Sequence, residues 1–500
     1  MSFYITTPIY YVNAEPHLGH AYTTIGADIL ARHMRQRGEE VFFLTGTDEH
    51  GEPVALAAER EGITPQQLAD RNAARFEALM PRLNASIDFF IRTSDPRHER
   101  RVQEILTRVR DAGYVYEGTY EGWYCPRCAD FKTETEIGPD DSCPIHHIAL
   151  TREKEANHFF ALSSFQEPLE RLYDEHPDFV APRHRFNEAR SFIAQGLQDV
   201  SLTRPKVKWG VSVPWDREQV FYVWFDALLN YVTALSFARE GESLERFWPA
   251  NLHLIGKDIL KFHAVFWPAL LMAAGLEVPR HLFVHGFLLM DGEKMSKSLG
   301  NVLDPFEVME RFGTDALRYY CFREVSFGSD GSVSTAGFEA RYDSELANEY
   351  GNLASRVLAM LRRYRGGVVP VVATDPALDA DFAGLPAQVS DLLDRAEITQ
   401  ALELIWQRVR RCNRYVEERA PWRQAKDPGA AAALDETLAS LAEGLRALSV
   451  LLAAYLPATT AALLDALGRP EIDYRLATFA DRGWGGPGVG DLEPLFPRVG

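Results

Sequence analysis

Apolar and polar runs alternate regularly through the first fifty residues. Phe3–Thr7 is β-prone, and Pro8, with no N–H to give to a ladder, is expected to end that strand. Apolar residues then recur at helical spacing from about His17 to Arg37, and Val41–Thr45 is an unbroken apolar run of strand length. Strand, helix and strand in so short a stretch read as a βαβ unit of a parallel sheet. Helical stretches are expected at about 65–83 and 97–112. Beyond Gly113 the texture changes to short aromatic segments, turns and a cysteine cluster. The α/β texture returns at Val220–Phe225, Leu252–Ile255 and Leu282–Val284, so an insertion is expected to split the sheet. From Leu346 to Leu467 the pattern is almost wholly helical, and the stretch from Gly468 is rich in Pro and Gly. The expected fold is α/β: a Rossmann-type parallel sheet split by a small insertion, then an all-α bundle. The divisions expected are 1–113 and 214–285 for the two halves of the sheet domain and 114–213 for the insertion. A loop region at 286–345, a helical domain at 346–467 and a tail at 468–500 follow.

Composition changes little in this picture. The chain has 500 residues, 46% hydrophobic and 25% charged, enough for several cores of an ordinary globular kind. A formal net charge of −18 argues against a phosphate-backbone partner on average, although a local basic patch survives inside an acidic protein. The five cysteines, three of them between Cys125 and Cys143, do not make a disulfide framework. The start, MSFYITTPIY, lacks the basic and apolar regions of a signal peptide, so a reducing cytoplasm is expected. Ala447–Leu464 is uncharged over a length that raises a membrane question, but Pro457 interrupts it, and two core helices explain it better.

Three motifs carry chemistry. His17-Leu18-Gly19-His20 follows a strand and opens a helix, which puts two imidazoles beside unpaired backbone N–H groups and the positive end of the helix dipole. Gly19 leaves the backbone open to a purine or phosphate. Alone, the motif is as readily two surface histidines. Lys294-Met295-Ser296-Lys297-Ser298 places two mobile cations three residues apart, suited to charge growing on a leaving pyrophosphate; alone, it is a solvated basic turn. Cys125-x-x-Cys128 and Cys143-x-x-His146 have the spacing of a closed tetrahedral zinc site, with His147 as a possible substitute ligand and reduced, metal-free thiols as the plain alternative. There is no G-x-x-x-x-G-K-[ST] loop, and a G-x-G-x-x-G string at Gly483, Gly485 and Gly488 lies in the tail and opens no helix.

HxGH after the first strand and KMSKS after the last strand of the sheet are together the signatures of class I aminoacyl-tRNA synthetases. The blocks TPIYYVNAEPHLGH, LTGTDEHG, YVWFDALLNY, LIGKDILKFHAVFWPA and KMSKSLGN resemble those of the methionyl-tRNA synthetases over almost the whole chain; Leu18 stands where many relatives have Ile. The resemblance implies a methionine pocket of Ile9, Tyr11, Asp48, Trp224, Ala227, Tyr231, Ile259 and His263, with Asp48 on the α-ammonium group. It implies ATP contacts from His17, Gly19, His20, Gly256, Asp258, Lys294 and Lys297, and catalytic roles for His17, His20, Lys294, Lys297 and Arg204. It implies anticodon readers at Asn348, Asn352, Arg356 and Trp422 on the helical domain, within a basic patch of Arg356, Arg362, Arg363, Arg365, Arg408, Arg410, Arg411 and Arg414. The expected activity is methionine–tRNA ligation: methionine and ATP form an adenylate and pyrophosphate, and the methionyl group passes to the terminal adenosine of tRNA(Met), the initiator included. Mg²⁺ would accompany ATP and one structural Zn²⁺ would sit at Cys125, Cys128, Cys143 and His146. No membrane partner is expected, and because the chain stops after the bundle, a monomer is. The alternatives are another class I synthetase, a small-molecule nucleotidyltransferase and a catalytically silent tRNA-binding scaffold.

Overall fold

The computed structural model describes residues 2–13, 15–126, 130–132, 137–145, 147–205, 207–238, 244–290, 293–294, 304–479 and 488–498. Its main sheet has six strands: β1 (Ser2–Tyr11), β2 (Glu40–Asp48), β3 (Phe89–Arg92), β4 (Val180–Ala181), β5 (Leu252–Gly256) and β6 (Leu282–His285). All are parallel, in the order β3-β2-β1-β5-β6-β4. β2 is buried along almost its whole length, as expected for a parallel strand with both faces covered. Helix α1 (Leu18–Gln36) makes the crossover from β1 to β2. The chain adds β3 beside β2, and after the insertion it reaches β5 on the other side of β1. That reversal opens a crevice at the carboxyl ends of β1 and β5, where open α/β sheets bind ligands.

Some sequence expectations need correction. Pro8 does not end the first strand. β1 continues to Tyr11, and the pairing with β2 slips between Thr6 and Ile9, so the proline sits in a bulge where its missing N–H costs no ladder bond. Val220–Phe225 is not a strand of the main sheet: a strand Asp216–Phe221 belongs to a separate three-stranded sheet, and a helix runs from Val223 to Thr233. The helix expected at 97–112 is Pro96–Val109, followed by a wide π turn through Gly113. Helix Glu52–Glu61 and strand β3, both short, had no periodicity long enough to announce them. β4 comes from within the 114–213 stretch and pairs with β6.

The rest of that stretch builds a four-stranded sheet around a long antiparallel ribbon, Val115–Cys125 against Thr151–Phe160. From Thr335 onward the chain is helical, with long helices Asn352–Arg365, Ile398–Arg419 and Ala431–Leu452. Ala447–Leu464 divides between the end of Ala431–Leu452 and the helix Pro457–Ala466, and no described helix is long and apolar enough to cross a membrane. A shared core joins this bundle to α1. Within it Arg318 is fully buried: it pairs with Asp28 of α1 at 2.7 Å and donates to the carbonyls of Leu83, Ala454 and Tyr455.

Candidate active site

A cavity of about 320 Å³ opens at the carboxyl ends of β1, β2, β5 and β6. Residues expected to act together from four distant sequence blocks all line it. They are Ile9, Tyr11, Asp48, Trp224, Ala227, Tyr231, Ile259 and His263, and beside them His17, Gly19, His20, Gly256 and Asp258. The strands deliver theirs at or just beyond their ends, and the helix Val223–Thr233 brings Trp224, Ala227 and Tyr231.

The signature histidines cap α1 in an unusual way. His17 is the N-cap, and its Nδ1 accepts the Gly19 N–H at 3.0 Å, while the Nδ1 of His20 accepts the His17 N–H at 3.1 Å. This is a capping box built from two imidazoles. Because both Nδ1 atoms accept, each neutral ring carries its proton on Nε2 and presents that N–H as a donor. Tyr10 and Phe76 hold the His20 ring edge-on at 4.7 and 5.0 Å. Gly19 has a second reason to be glycine: a Cβ there would lie 2.9 Å from Cε1 of His17.

The inner end of the cavity is aromatic. Trp224 stacks on Phe262 with ring centres 3.7 Å apart, and Tyr11 meets Trp224 edge-on. Tyr231 and His263 are 2.8 Å apart, Oη to Nε2. His263 Nδ1 lies 3.0 Å from the Ile259 carbonyl and must donate to it, so Nε2 accepts the Tyr231 hydroxyl. Burial lowers the His263 pKa to about 4, which keeps the ring neutral. His253 lies behind, its ring tilted against that of Tyr231 with centres 4.4 Å apart, and burial holds it well below the ordinary histidine range.

Among the described residues, Asp48 brings a carboxylate to the lining at this end. It is 3% exposed, and its Oδ1 has no hydrogen-bond partner among the described residues. Burial, reinforced by the nearby Asp226 carboxylate, pushes its pKa well above the usual carboxylate range. A buried acceptor left open toward a cavity fits a cation that arrives with the ligand.

Sequence reasoning missed His285, Thr23 and Asn13, which also line the cavity. His285 Nδ1 lies 2.8 Å from the Gly286 carbonyl, so its Nε2 accepts the Thr23 hydroxyl at 2.8 Å. Its position at the end of a parallel strand was the available signal. Arg204 is not among the lining residues. It is buried in the short strand Thr203–Arg204 with its guanidinium over the Tyr222 ring at 4.2 Å. Lys294 is in a strand whose backbone pairs it with Leu289, next to the cavity-lining Leu288. Lys297, with the rest of 295–303, lies outside the described residues, as do Gly483 and Gly485.

In the insertion, Cys125 and Cys143 are both fully buried in one small cluster with Leu150, flanked by Trp123, Ile137 and Ile148. The His147 N–H donates to the Cys143 carbonyl in a tight turn, with His147 itself at φ 52°. Cys128 and His146 lie outside the described residues, and the described residues hold no cluster of three or more metal-ligating side chains.

On the bundle, Asn348 and Asn352 are exposed, and Arg356 lies 5.9 Å from the Trp422 ring. The basic patch is weaker than expected. Arg356, Arg362, Arg365, Arg410 and Arg411 are ion-paired with Glu417, Asp491, Asp435, Glu345 and Asp381, and Arg408 donates to the Asp381 carbonyl. Carboxylates from neighbouring helices answer most of these charges, and sequence spacing cannot show them.

A parallel Rossmann-type sheet with a histidine-capped signature helix at its switch point, and a KMSKS segment following its strands, defines a class I aminoacyl-tRNA synthetase. The family model described as tRNA synthetases class I (M) matches residues 3–152 and 139–358. The methionine–tRNA ligase of Streptomyces coelicolor is 44% identical over 522 residues, spanning 100% of this chain and 97% of that protein. That of Caldanaerobacter subterraneus subsp. tengcongensis is 42% identical over 507 residues, spanning 100% and 79%. The solved structure of Mycobacterium tuberculosis methionyl-tRNA synthetase with methionyl-adenylate superimposes with a TM-score of 0.95 at 40% identity, covering 99% of this chain and 100% of that one. The chain belongs to the methionyl-tRNA synthetase family.

Proposed function

We propose that the chain is a methionine–tRNA ligase in which the cavity holds methionine at its aromatic end and ATP along the signature helix. The observation that carries the methionine site is the single open carboxylate oxygen of Asp48 facing an aromatic, neutral pocket. Methionine offers one ammonium group to that carboxylate and a polarizable thioether to the edges of Trp224, Tyr11 and Tyr231. The two Nε2–H donors of His17 and His20 at the α1 N-terminus suit the triphosphate. Gly256 and Asp258 suit adenosine, and Lys294 and Lys297 suit the pyrophosphate.

The methionine carboxylate attacks the α-phosphorus, and the bond to pyrophosphate breaks. A ribose hydroxyl of the terminal tRNA adenosine then attacks the adenylate carbonyl, and AMP leaves. No protein nucleophile is required; catalysis is positioning and charge stabilisation. Mg²⁺ enters with ATP as part of that substrate. Arg204, buried with its guanidinium over the Tyr222 ring, is kept in this reading as the cation that serves the reacting carboxylate and α-phosphate. Asn348, Asn352, Arg356 and Trp422 fit an anticodon surface in which the indole stacks on a base. The same reading takes the protein as a monomer of a reducing cytoplasm, where the buried thiols of Cys321 and Cys412 stay reduced. Cys125, Cys128, Cys143 and His146 fit one structural zinc, because two buried sulfurs already share a cluster at the tip of the ribbon. When bound, the metal would supply folding energy to a region with little core of its own.

The test is pyrophosphate exchange with each amino acid in turn, followed by charging of tRNA. Methionine alone should support exchange, and tRNA(Met) should accept it. Exchange without charging would leave a nucleotidyltransferase; charging with another amino acid would leave another class I synthetase.

A further inference from the structure

The Asp48 carboxylate acts as a receptor only if something aims it. Asp48 ends β2, and the loop Asp48–Gly51 that follows is held from several elements. The Glu49 side chain is fully buried; Arg92 grips both its oxygens at 2.7 and 2.9 Å, and Thr47 and Ser94 add hydroxyl donors. The Glu49 N–H donates to Thr93 Oγ1, and the Trp209 indole N–H donates to the Glu49 carbonyl. The Gly51 N–H donates to the Trp209 carbonyl.

His50 has two attachments. Its backbone N–H, with the Tyr11 hydroxyl, bears on the Asp48 carboxylate and favours its charged form. Its ring is fastened elsewhere: Nδ1 lies 2.6 Å from Oδ2 of Asp226, while Nε2 faces Glu99 at 3.6 Å. Asp226 is 1% exposed, and its second oxygen lies 2.7 Å from Nε2 of the fully buried His98, whose Nδ1 meets Thr233 Oγ1. Asp226 belongs to the helix Val223–Thr233 that also carries Trp224, Ala227 and Tyr231 into the cavity. Asp226 itself does not line the cavity.

We infer that the Asp226–His50 pair, backed by His98, is the positioning device of the amino-group receptor: it locks the loop that aims Asp48 to the helix that forms the aromatic end of the pocket. The inference rests on the reading of Asp48 as the ammonium site. It gives a function to three buried polar residues that touch neither substrate in that reading. A buried pair with two imidazoles around one carboxylate is a poor choice for stability alone, since apolar residues of similar volume are often neutral or better. Its value lies in geometry, because hydrogen bonds at both ends fix where the loop stands relative to the helix. Burial by itself would discharge both groups. Their mutual attraction outweighs it, holding His50 above its ordinary value and Asp226 at about 2.

The experiment measures pyrophosphate exchange by the full chain. Asp226→Asn should raise the methionine KM by roughly tenfold or more, the order of what one hydrogen bond to a charged group is worth in binding. The ATP KM and kcat should stay near those of the unmodified protein. His50→Asn, which keeps a donor near Nδ1, should recover most of the methionine affinity that His50→Leu loses. In an Asp48→Asn background, Asp226→Asn should cost no further methionine affinity, because the receptor it aims is gone. Equal losses in methionine KM, ATP KM and kcat would overturn the inference, as would fully additive losses with Asp48→Asn. If Asp226→Asn does not fold, the His50 pair decides alone: equal affinity in His50→Asn and His50→Leu overturns the inference. An Asp48→Asn protein with normal methionine affinity would sink the ammonium reading itself. A normal Asp226→Asn beside an impaired Asp48→Asn would sink only the positioning role.

Discussion

Asp48 and Gly19 show how much single residues decide. An ammonium ligand binds the charged form of Asp48, and in the empty cavity burial and Asp226 favour the neutral form. Binding therefore releases a proton. Methionine affinity should fall by about tenfold per pH unit once the pH drops below the raised Asp48 pKa, which stands well above the ordinary carboxylate range. The same shift means that ionised Asp48 destabilises the empty protein as pH rises. Saturating methionine should thus raise Tm more at pH 8 than at pH 5, and Asp48→Asn should lose both effects in calorimetry. Gly19→Ala makes a different prediction. The new Cβ pushes the His17 ring out of its cap. Loss of a cap costs about 1 kcal/mol, and alanine returns roughly 0.5–1 kcal/mol in a helix. Melting should barely move, while exchange should fall by roughly 10²-fold if one transition-state donor is lost.

At the scale of elements, the ribbon Val115–Cys125 and Thr151–Phe160 ends in a tip whose core, among the described residues, is three buried side chains, two of them cysteines. Such a tip needs a staple. Purified protein should carry about one zinc per chain, as expected for one four-ligand site. Cys125→Ser should release the metal and open 125–150 to proteolysis while leaving methionine-dependent exchange largely intact. Metal-free protein with a protease-resistant tip would show that the thiols pack without a metal. The HLGH and TDEHG segments were readable as motifs because their chemistry is local. The clamp around Asp48 was not, since Asp226, His98 and Trp209 meet it only across the fold.

Across the whole molecule, the bundle and the sheet domain share one core, and Arg318 pins them together. Arg318→Met would leave buried Asp28 with Arg32 as its remaining ion partner, and three carbonyls short of a donor. Removing one partner of a buried pair costs about 3–5 kcal/mol when the charge is left alone, and Arg32 should hold the loss below that. Denaturant unfolding should show that loss, and Asp28→Asn in the same chain should restore part of it. The anticodon surface makes the complementary prediction. Trp422→Ala should leave pyrophosphate exchange near normal, because the anticodon lies far from the acceptor end of a tRNA. Charging should fall by roughly 5- to 150-fold, the equivalent of about 1–3 kcal/mol for one stacked base. If both activities fall together, Trp422 serves the core; if neither falls, the anticodon is read elsewhere on the bundle.

By itself the sequence determined the βαβ start, the helical second half, the signature pair at His17–His20 and Lys294–Ser298, and the roster of pocket residues. Periodicity and contiguous motifs are properties of neighbouring residues, and the family blocks carry the pocket with them. Only tertiary structure decided that Pro8 is absorbed in a bulge and that β4 joins the sheet from within the 114–213 stretch. It also decided that Arg204 packs its guanidinium over the Tyr222 ring, that most of the bundle's arginines are already answered by carboxylates, and that Asp226 reaches the Asp48 loop through His50. Each of these is a pairing between residues tens to hundreds of positions apart. Spacing along a chain carries no record of such pairings, because packing, not proximity in sequence, selects the partner.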